Sequence, residues 1–353
     1  MSITLMALAT VPMVPAFLSG GDVSEIPEVE AYGGTYSYCG RRQDPMKILK
    51  GAGWNFIRLR VWNDPKEGFC DKAHTLAMAK RVKAAGMTLS IDFHYSDWWA
   101  DPGKQNKPAR WKDYNLDQLA VAVREYTRDV VGALVKQGTP PYMVQVGNEI
   151  IGGMLWPEGK LNGNNEQTWK DLTKLVNAGV EGIRQAQGKH KILAMVHLDR
   201  GGSNQDSRWW LDNAVKHGME FDVIGQSFYP FWHGTLRDLE ANLVDLRWRY
   251  KRDVYITEVA YPYTIDPKRG PGFVYDVPLR TPYPPTPKGQ ADFLAEVYAI
   301  ARRSGTKGVL YWAPTWLSTK KEHVPWSNMA TFNDAGEALP AVDVIGRAGK
   351  TQK

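Results

Sequence analysis

Two glutamates close apolar runs that read as buried strands. Glu149 lies at the end of "MVQVGNEI" (143–150), beside the Asn148 amide, and Glu258 lies within "VYITEVAY" (254–261). Two carboxyls facing one cleft suit glycoside cleavage: one protonates the leaving oxygen while the other attacks or activates water. Their surroundings must hold the two pKa values apart, so that one stays protonated near neutral pH. Arg60, in "FIRLRVW" (56–62), is expected beside Glu258 to keep it ionised, with Arg58 a deeper buried partner on the same strand face. Asn148 is suited to bond a sugar hydroxyl next to the reacting carbon. Either glutamate alone reads equally well as a structural ion-pair partner; the pair with its neighbours favours catalysis.

Other chemistries lack their motifs. There is no His-Glu-x-x-His zinc pattern, no Gly-x-Ser-x-Gly elbow and no cluster of cysteines. His94 and His197, among seven histidines, fit sugar binding or supporting hydrogen bonds better than metal ligation. No metal and no cofactor is expected.

These residues need a frame that brings distant segments together. Eight strand-like runs recur, "FLSGGDVS", "FIRLRVW", "TLSIDFH", "MVQVGNEI", "ILAMVHLD", "VIGQSFYP", "VYITEVAY" and "GVLYWAP", with amphipathic segments between them. "NLDQLAVAVREYTRDVVGALVKQG" predicts a helix that starts after Asn115, a good N-cap, and stops at Gly138. This alternation predicts an α/β fold: a single-domain closed (β/α)8 TIM barrel over 17–353. The rival open doubly wound sheet would carry a Gly-rich phosphate loop after an early strand, and none is present. Active sites of such barrels sit at the C-terminal ends of the strands. Seven of the eight runs end on Arg60, His94, Asn148–Glu149, His197 and Asp199, Tyr229, Glu258 and Trp312. So many polar endings converging on one rim make a site.

Composition sets the outer limits. The chain has 353 residues, 43% hydrophobic and 23% charged, enough for a sizeable core. Net charge is +6, but the basic residues lie on mixed helix faces such as "VREYTRDVV" around Arg124 and Arg128, so no nucleic-acid partner is expected. Beyond the N-terminus no apolar run is long enough to span a membrane. With 14 Trp and 16 Tyr, the chain has rings both to fill a core and to stack on sugar faces. Residues 1–16 resemble the apolar part and cleavage region of a secretory signal, although the first basic residue is Arg41, so a secreted or periplasmic protein is expected. In an oxidising compartment Cys39 and Cys70 could pair, or remain two free thiols. A monomer is expected.

Longer blocks carry a family resemblance. "RLRVWNDP" (58–65), "DFHYSDWWADPGKQNKPARW" (92–111), "QVGNEIIGGMLWPEG" (145–159), "HLD" (197–199), "IGQSFYPFWHG" (224–234), "ITEVAYPY" (256–263) and "YWAPTW" (311–316) resemble glycoside hydrolase family 53, over nearly the whole chain. Members are endo-β-1,4-galactanases acting on type I arabinogalactan, so the resemblance implies plant cell-wall galactan or arabinogalactan as substrate. It makes Glu149 the acid/base and Glu258 the nucleophile of a retaining double displacement. Arg60, Asp92, His94, Asn148, His197, Asp199, Tyr229 and Trp312 fall where supporting residues belong. Trp98, Trp99, Trp156, Trp232 and Trp316 are each open to stacking on sugar or to packing, and Asp22 to a first-strand motif or to bracing the rim. Several bacterial members bind calcium in an acidic loop after strand seven. Here that loop has only Asp266 and Asp276, with Lys268, Arg269 and Arg280 intruding, so calcium is not expected there. A barrel glycosidase on another β-1,4-glycan of the mannan type, or a non-catalytic sugar-binding barrel, are the alternatives.

Overall fold

The computed structural model describes residues 16–269 and 272–350. The signal-like segment expected over 1–16 falls, except for Ala16, outside them. Eight parallel strands close into a barrel: β1 Leu18–Asp22, β2 Phe56–Val61, β3 Thr88–Phe93, β4 Met143–Val146, β5 Leu193–Leu198, β6 Val223–Phe228, β7 Asp253–Val259 and β8 Gly308–Trp312. Each strand is followed by a helix: α1 Pro45–Ala52, α2 Lys72–Ala84, α3 Leu116–Lys136, α4 Glu166–Ala186, α5 Asn204–Lys216, α6 Leu236–Tyr250, α7 Pro287–Arg303 and α8 Pro340–Gly349. The strands pair in chain order, and β1 closes the ring between β2 and β8. The predicted (β/α)8 barrel is the observed fold.

Local chemistry sets the element ends. α3 opens on a reciprocal cap in which Asn115 accepts from the Gln118 N–H while the Gln118 side chain accepts from the Asn115 N–H. Gly138 follows that helix at φ 83°, a left-handed conformation that glycine takes without a Cβ penalty.

The core is split by the sheet. Between strands and helices runs one continuous apolar layer, from Val23 through Trp54, Trp169 and Trp210 to Ile345. Inside the barrel, a separate plug of Leu18, Phe56, Met143, Met195, Val223, Tyr255 and Leu310 fills the N-terminal end. Successive inward positions are two residues apart. Above Phe56 comes Arg58, above Met143 comes Gln145, and above Met195 comes His197. The apolar plug thus gives way to a buried polar layer just below the mouth, where the site lies.

Candidate active site

Strand register decides which arginine meets Glu258. Val259 pairs with Tyr311, Tyr311 with Gly21, and Gly21 with Ile57. Glu258 therefore stands level with the middle of β2, not with its end. The Arg58 guanidinium reaches it, with Nη2 2.6 Å from Glu258 Oε1, Nε 2.8 Å from Asp22 Oδ2 and Nη1 3.8 Å from Asp92 Oδ2. Burial works against the charge on Arg58, but the carboxylates of Glu258, Asp92 and Asp22 outweigh it and raise its pKa. This corrects the expectation for Arg60. That side chain sits one step nearer the mouth, 4.2 Å from the ring centre of Trp99 and 3.8 Å from Glu25 Oε2.

Glu258 receives a second donor, the Tyr229 hydroxyl, at 2.7 Å from Oε2. Burial holds its pKa above the usual carboxylate value, and Arg58, through charge and hydrogen bond, and the Tyr229 hydroxyl draw it only part of the way back. Glu149 follows Gly147 (φ 85°) and Asn148, and itself has φ 49° and ψ 54°, which turns the chain sharply off β4. Its Oε1 accepts from Ser227 Oγ at 2.6 Å. Burial, with the charges of Glu258 and Asp199, pushes Glu149 well above the usual carboxylate range. Both carboxyls are raised, Glu149 further, so of the two Glu149 holds a proton more tightly and Glu258 ionises first. Asp199 is pushed up to about 6 by burial, against the pull of its ion pair with Arg200.

A ligand atom from each of Glu149, His197 and Glu258 lies within 4.8 Å of the other two. Both ring nitrogens of His197 are already engaged inside the protein, Nδ1 by Gln145 Nε2 at 2.8 Å and Asn148 Oδ1 at 3.0 Å, and Nε2 by Ser227 Oγ at 2.8 Å. Burial, then the charge of Arg58, lowers the His197 pKa well below its ordinary value, so the ring is neutral. The set is thus a carboxyl pair with a hydrogen-bonding imidazole beneath it.

The mouth opens into a groove of about 920 Å³ lined by His94, Asn148, Glu149, Asp199, Tyr229 and Glu258, and by a run of rings, Trp99, Trp316, Trp312, Trp326, Trp232 and Phe273. Neighbouring rings in this run touch. Trp312 and Trp326 centroids are 4.5 Å apart, and those of Phe273 and Trp326 4.8 Å. Asp92 lies below the groove, fully buried, where Oδ1 accepts from Gln145 Nε2 at 2.6 Å. His94 Nδ1 accepts from the Ala100 N–H at 3.0 Å, and its Nε2 lies 3.3 Å from Asp92.

Two expectations need correction, and the alternative left open at the cysteines is resolved. Trp98 is not among the groove residues: it packs on Trp62 at 4.5 Å with its outer face in solvent. Trp156 is also absent from the lining; its indole N–H donates to Gly152 O at 3.0 Å and Lys160 sits over the ring. Cys39 and Cys70 are both free thiols, Cys39 exposed and Cys70 buried with Sγ 3.6 Å from Ser24 O. Asp22 braces the rim, accepting from Arg58 and from Ser24 Oγ at 2.5 Å.

Sequence reading missed Gln145, Ser227, Arg200 and Trp326. The inward, polar position of Gln145 two residues above Met143 was a usable signal. Ser227 and Trp326 gave none: a lone serine is common in strands, and Trp326 stands on an irregular segment after β8.

A closed (β/α)8 barrel with two carboxyls converging at its C-terminal mouth and a tryptophan-lined groove above them defines a barrel glycoside hydrolase. The chain belongs to glycosyl hydrolase family 53, whose model matches residues 18–345. It is 32% identical over 338 residues to an arabinogalactan endo-β-1,4-galactanase of Thermothelomyces thermophilus, covering 93% of this chain and 98% of that one. An endo-β-1,4-galactanase of Bacillus subtilis is 33% identical over 313 residues, with 85% of this chain and 70% of that one covered. Among solved structures, the Ignisphaera aggregans family 53 catalytic domain superposes with a TM-score of 0.85 at 34% identity, covering 95% and 97% of the two chains.

Proposed function

We propose that this protein is an endo-acting, retaining β-1,4-galactanase that cuts galactan or type I arabinogalactan by double displacement. The observation that carries the mechanism is the approach of the carboxyl oxygens of Glu149 and Glu258 to within 4.8 Å. Retaining enzymes need a carboxyl separation of about 5–5.5 Å, whereas inverting ones need about 6.5–9.5 Å to admit a water. Glu258, held ionised by Arg58 and Tyr229, attacks the anomeric carbon while Glu149 protonates the departing oxygen. Water activated by Glu149 then releases the glycosyl group from Glu258. The names of the relatives support galactan as the polysaccharide.

The test is incubation with debranched β-1,4-galactan beside mannan, xylan and carboxymethylcellulose, with products resolved by size and their anomeric form read by proton NMR. A ladder of short galacto-oligosaccharides released first as the β-anomer, from galactan alone, is expected. Cleavage of mannan in place of galactan would discard the substrate, and initial release of the α-anomer would discard the double displacement.

The loop after β7 is read as needing no calcium. Asn328 Nδ2 donates to Thr264 O at 3.2 Å and to Phe273 O at 3.0 Å, and Asp266 Oδ1 is used by the Lys268 N–H. An amide and backbone bonds thus hold this segment where two carboxylates are too few for a six- to eight-oxygen cage. Unchanged activity and melting in a chelator is the expected result, and a fall in either that calcium reverses would contradict it. A secreted or periplasmic monomer without nucleic-acid or membrane partners fits the N-terminal apolar segment and the mixed charge of the helix faces. No helix among the described residues is long and apolar enough to cross a membrane. N-terminal sequencing of the mature protein from culture fractions and sedimentation analysis test location and oligomeric state.

A further inference from the structure

Beneath the two glutamates lies a buried chain of polar groups that double displacement by the carboxyl pair does not itself require. Arg58 Nη1 stands 3.3 Å from Gln145 Oε1, and Gln145 Nε2 stands 2.8 Å from His197 Nδ1. His197 Nε2 is 2.8 Å from Ser227 Oγ, which is 2.6 Å from Glu149 Oε1. Gln145, His197 and Ser227 are completely buried, so water cannot substitute for a missing link. The donors at the Arg58 end set the direction of the links. A guanidinium only donates, so the Gln145 oxygen faces Arg58 and its NH2 group faces Asp92 and His197. The Gln145 N–H facing His197 is shared with Asn148 Oδ1 at 3.2 Å, and Asn148 Oδ1 itself lies 3.0 Å from Nδ1. The closer neighbour of Nδ1 is the Gln145 N–H at 2.8 Å, which a proton on Nδ1 would meet head-on. The neutral ring therefore carries its hydrogen on Nε2 and donates to Ser227, whose own hydrogen is left for Glu149.

We propose that Gln145, His197 and Ser227 form a one-way hydrogen-bond chain, started by Arg58, that fixes which oxygen of Glu149 carries the catalytic proton. Oε1 is taken as an acceptor, so the proton rides on Oε2, the oxygen left for the glycosidic bond. In the second step the same donor steadies the Glu149 carboxylate while it activates water. Because Arg58 also donates to Glu258, one guanidinium keeps the nucleophile ionised and orients the acid. The inference rests on the assignment of Glu149 as acid/base, and it makes Ser227, His197 and Gln145 positioning residues.

The charged groups around Glu149 are Glu258 on β7, Arg58 on β2, Asp199 and Arg200 after β5, and the titratable His197 on β5 and His94, Tyr229 and His233 on the groove wall. None of these is replaced in Ser227→Ala, which removes the donor to Oε1 and the acceptor for the His197 Nε2–H. The Ser227 hydroxyl favours the ionised form of Glu149, so its loss raises that pKa.

The test combines kinetics and spectroscopy. For Ser227→Ala, the alkaline limb of kcat/KM on galactan is expected to move up by about one unit or more. The rate is expected to fall about tenfold on galactan and much less on an aryl galactobioside with a good leaving group. Ser227→Thr should restore both. In 15N-histidine-labelled wild-type protein, the His197 ring should show a protonated Nε2 and a bare Nδ1 across the activity range. A bare Nε2, or a Ser227→Ala profile that does not move, overturns the chain. Glu149→Ala run alongside separates the two ideas. If it keeps wild-type rates on galactan, the acid/base assignment itself fails; if it loses them while Ser227→Ala matches wild type, only the chain fails.

Discussion

Arg58 Nη2 lies 2.6 Å from Glu258 Oε1, with both side chains buried. An ion pair taken out of water in this way is costly to break, because the survivor stays charged without its partner. Arg58→Met should therefore destabilise the fold by about 3–5 kcal/mol and, by leaving Glu258 without its cation, lower kcat on galactan by about a hundredfold or more. Arg60→Met, which removes contacts with Trp99, Trp62, Glu25 and Asp22 and none with Glu258, should keep kcat within about tenfold and act mainly on melting temperature. Steady-state kinetics of the two variants side by side decide it; a larger kcat loss at Arg60 would reverse the roles drawn from the register.

The carboxyl pair divides one reaction into two steps. Glu258→Gln should nearly abolish turnover while galacto-oligosaccharide binding, measured by calorimetry, survives. Glu149→Gln should slow galactan cleavage by about 10²–10⁴-fold and hurt good leaving groups least in the first step. Equal losses on good and poor leaving groups would mean that Glu149 does not deliver the proton.

Tyr229 donates to the ionised form of Glu258, at 2.7 Å. Loss of that bond favours the neutral carboxyl, so in Tyr229→Phe the acidic limb of kcat/KM should move to higher pH, the direction opposite to any gain in acid tolerance. A limb that stays in place would show that Arg58 alone holds the charge.

Trp326 touches Trp312 and Phe273 in the groove wall. Trp326→Ala should raise KM for galactan roughly two- to tenfold, as expected for one lost stacking partner of about 0.5–1.5 kcal/mol, with kcat little changed. Trp156→Ala, outside the groove lining, should leave KM alone. Michaelis curves on soluble galactan distinguish them.

Away from the mouth, burial pushes Glu25 up to about 7 against the pull of Arg60. Its folded-state pKa exceeds the ordinary 4.5, so the proton is bound more tightly in the native protein. Its contribution to stability is full below pH 4.5 and is lost as pH rises through about 7. The loss amounts to about 3 kcal/mol at 1.36 kcal/mol per unit. Glu25→Gln, which keeps an acceptor for the Thr315 hydroxyl, should flatten the decline of melting temperature over that interval. An equal slope in both proteins would place the titration elsewhere.

Much of this molecule was legible before its coordinates. Short apolar runs alternating with amphipathic segments marked the eight strands, and the positions of Glu149 and Glu258 at strand ends marked the cleft. Illegible was whatever depends on barrel stagger. Arg58 and Arg60 share a strand face, and only the offset between β2 and β7 tells which reaches Glu258. Stacking roles were equally hidden, since Trp98 and Trp99 are neighbours in sequence, yet Trp99 lines the groove and Trp98 packs outward on Trp62. The free thiols follow from the same limit: loops at one end of a barrel need not meet.

Glu149 is a non-glycine residue at φ 49° and ψ 54°, a conformation that costs an L-amino acid roughly 1–2 kcal/mol. It also buries a carboxyl beside another carboxyl. The most productive position in the chain is therefore among its least comfortable, and glycine would be the restful choice there. The barrel around it must be stable enough to hold a residue that would, left to itself, turn the other way. A lineage freed from the need to cut polysaccharide would be expected to change first at this position, shedding its activity while its fold grew firmer.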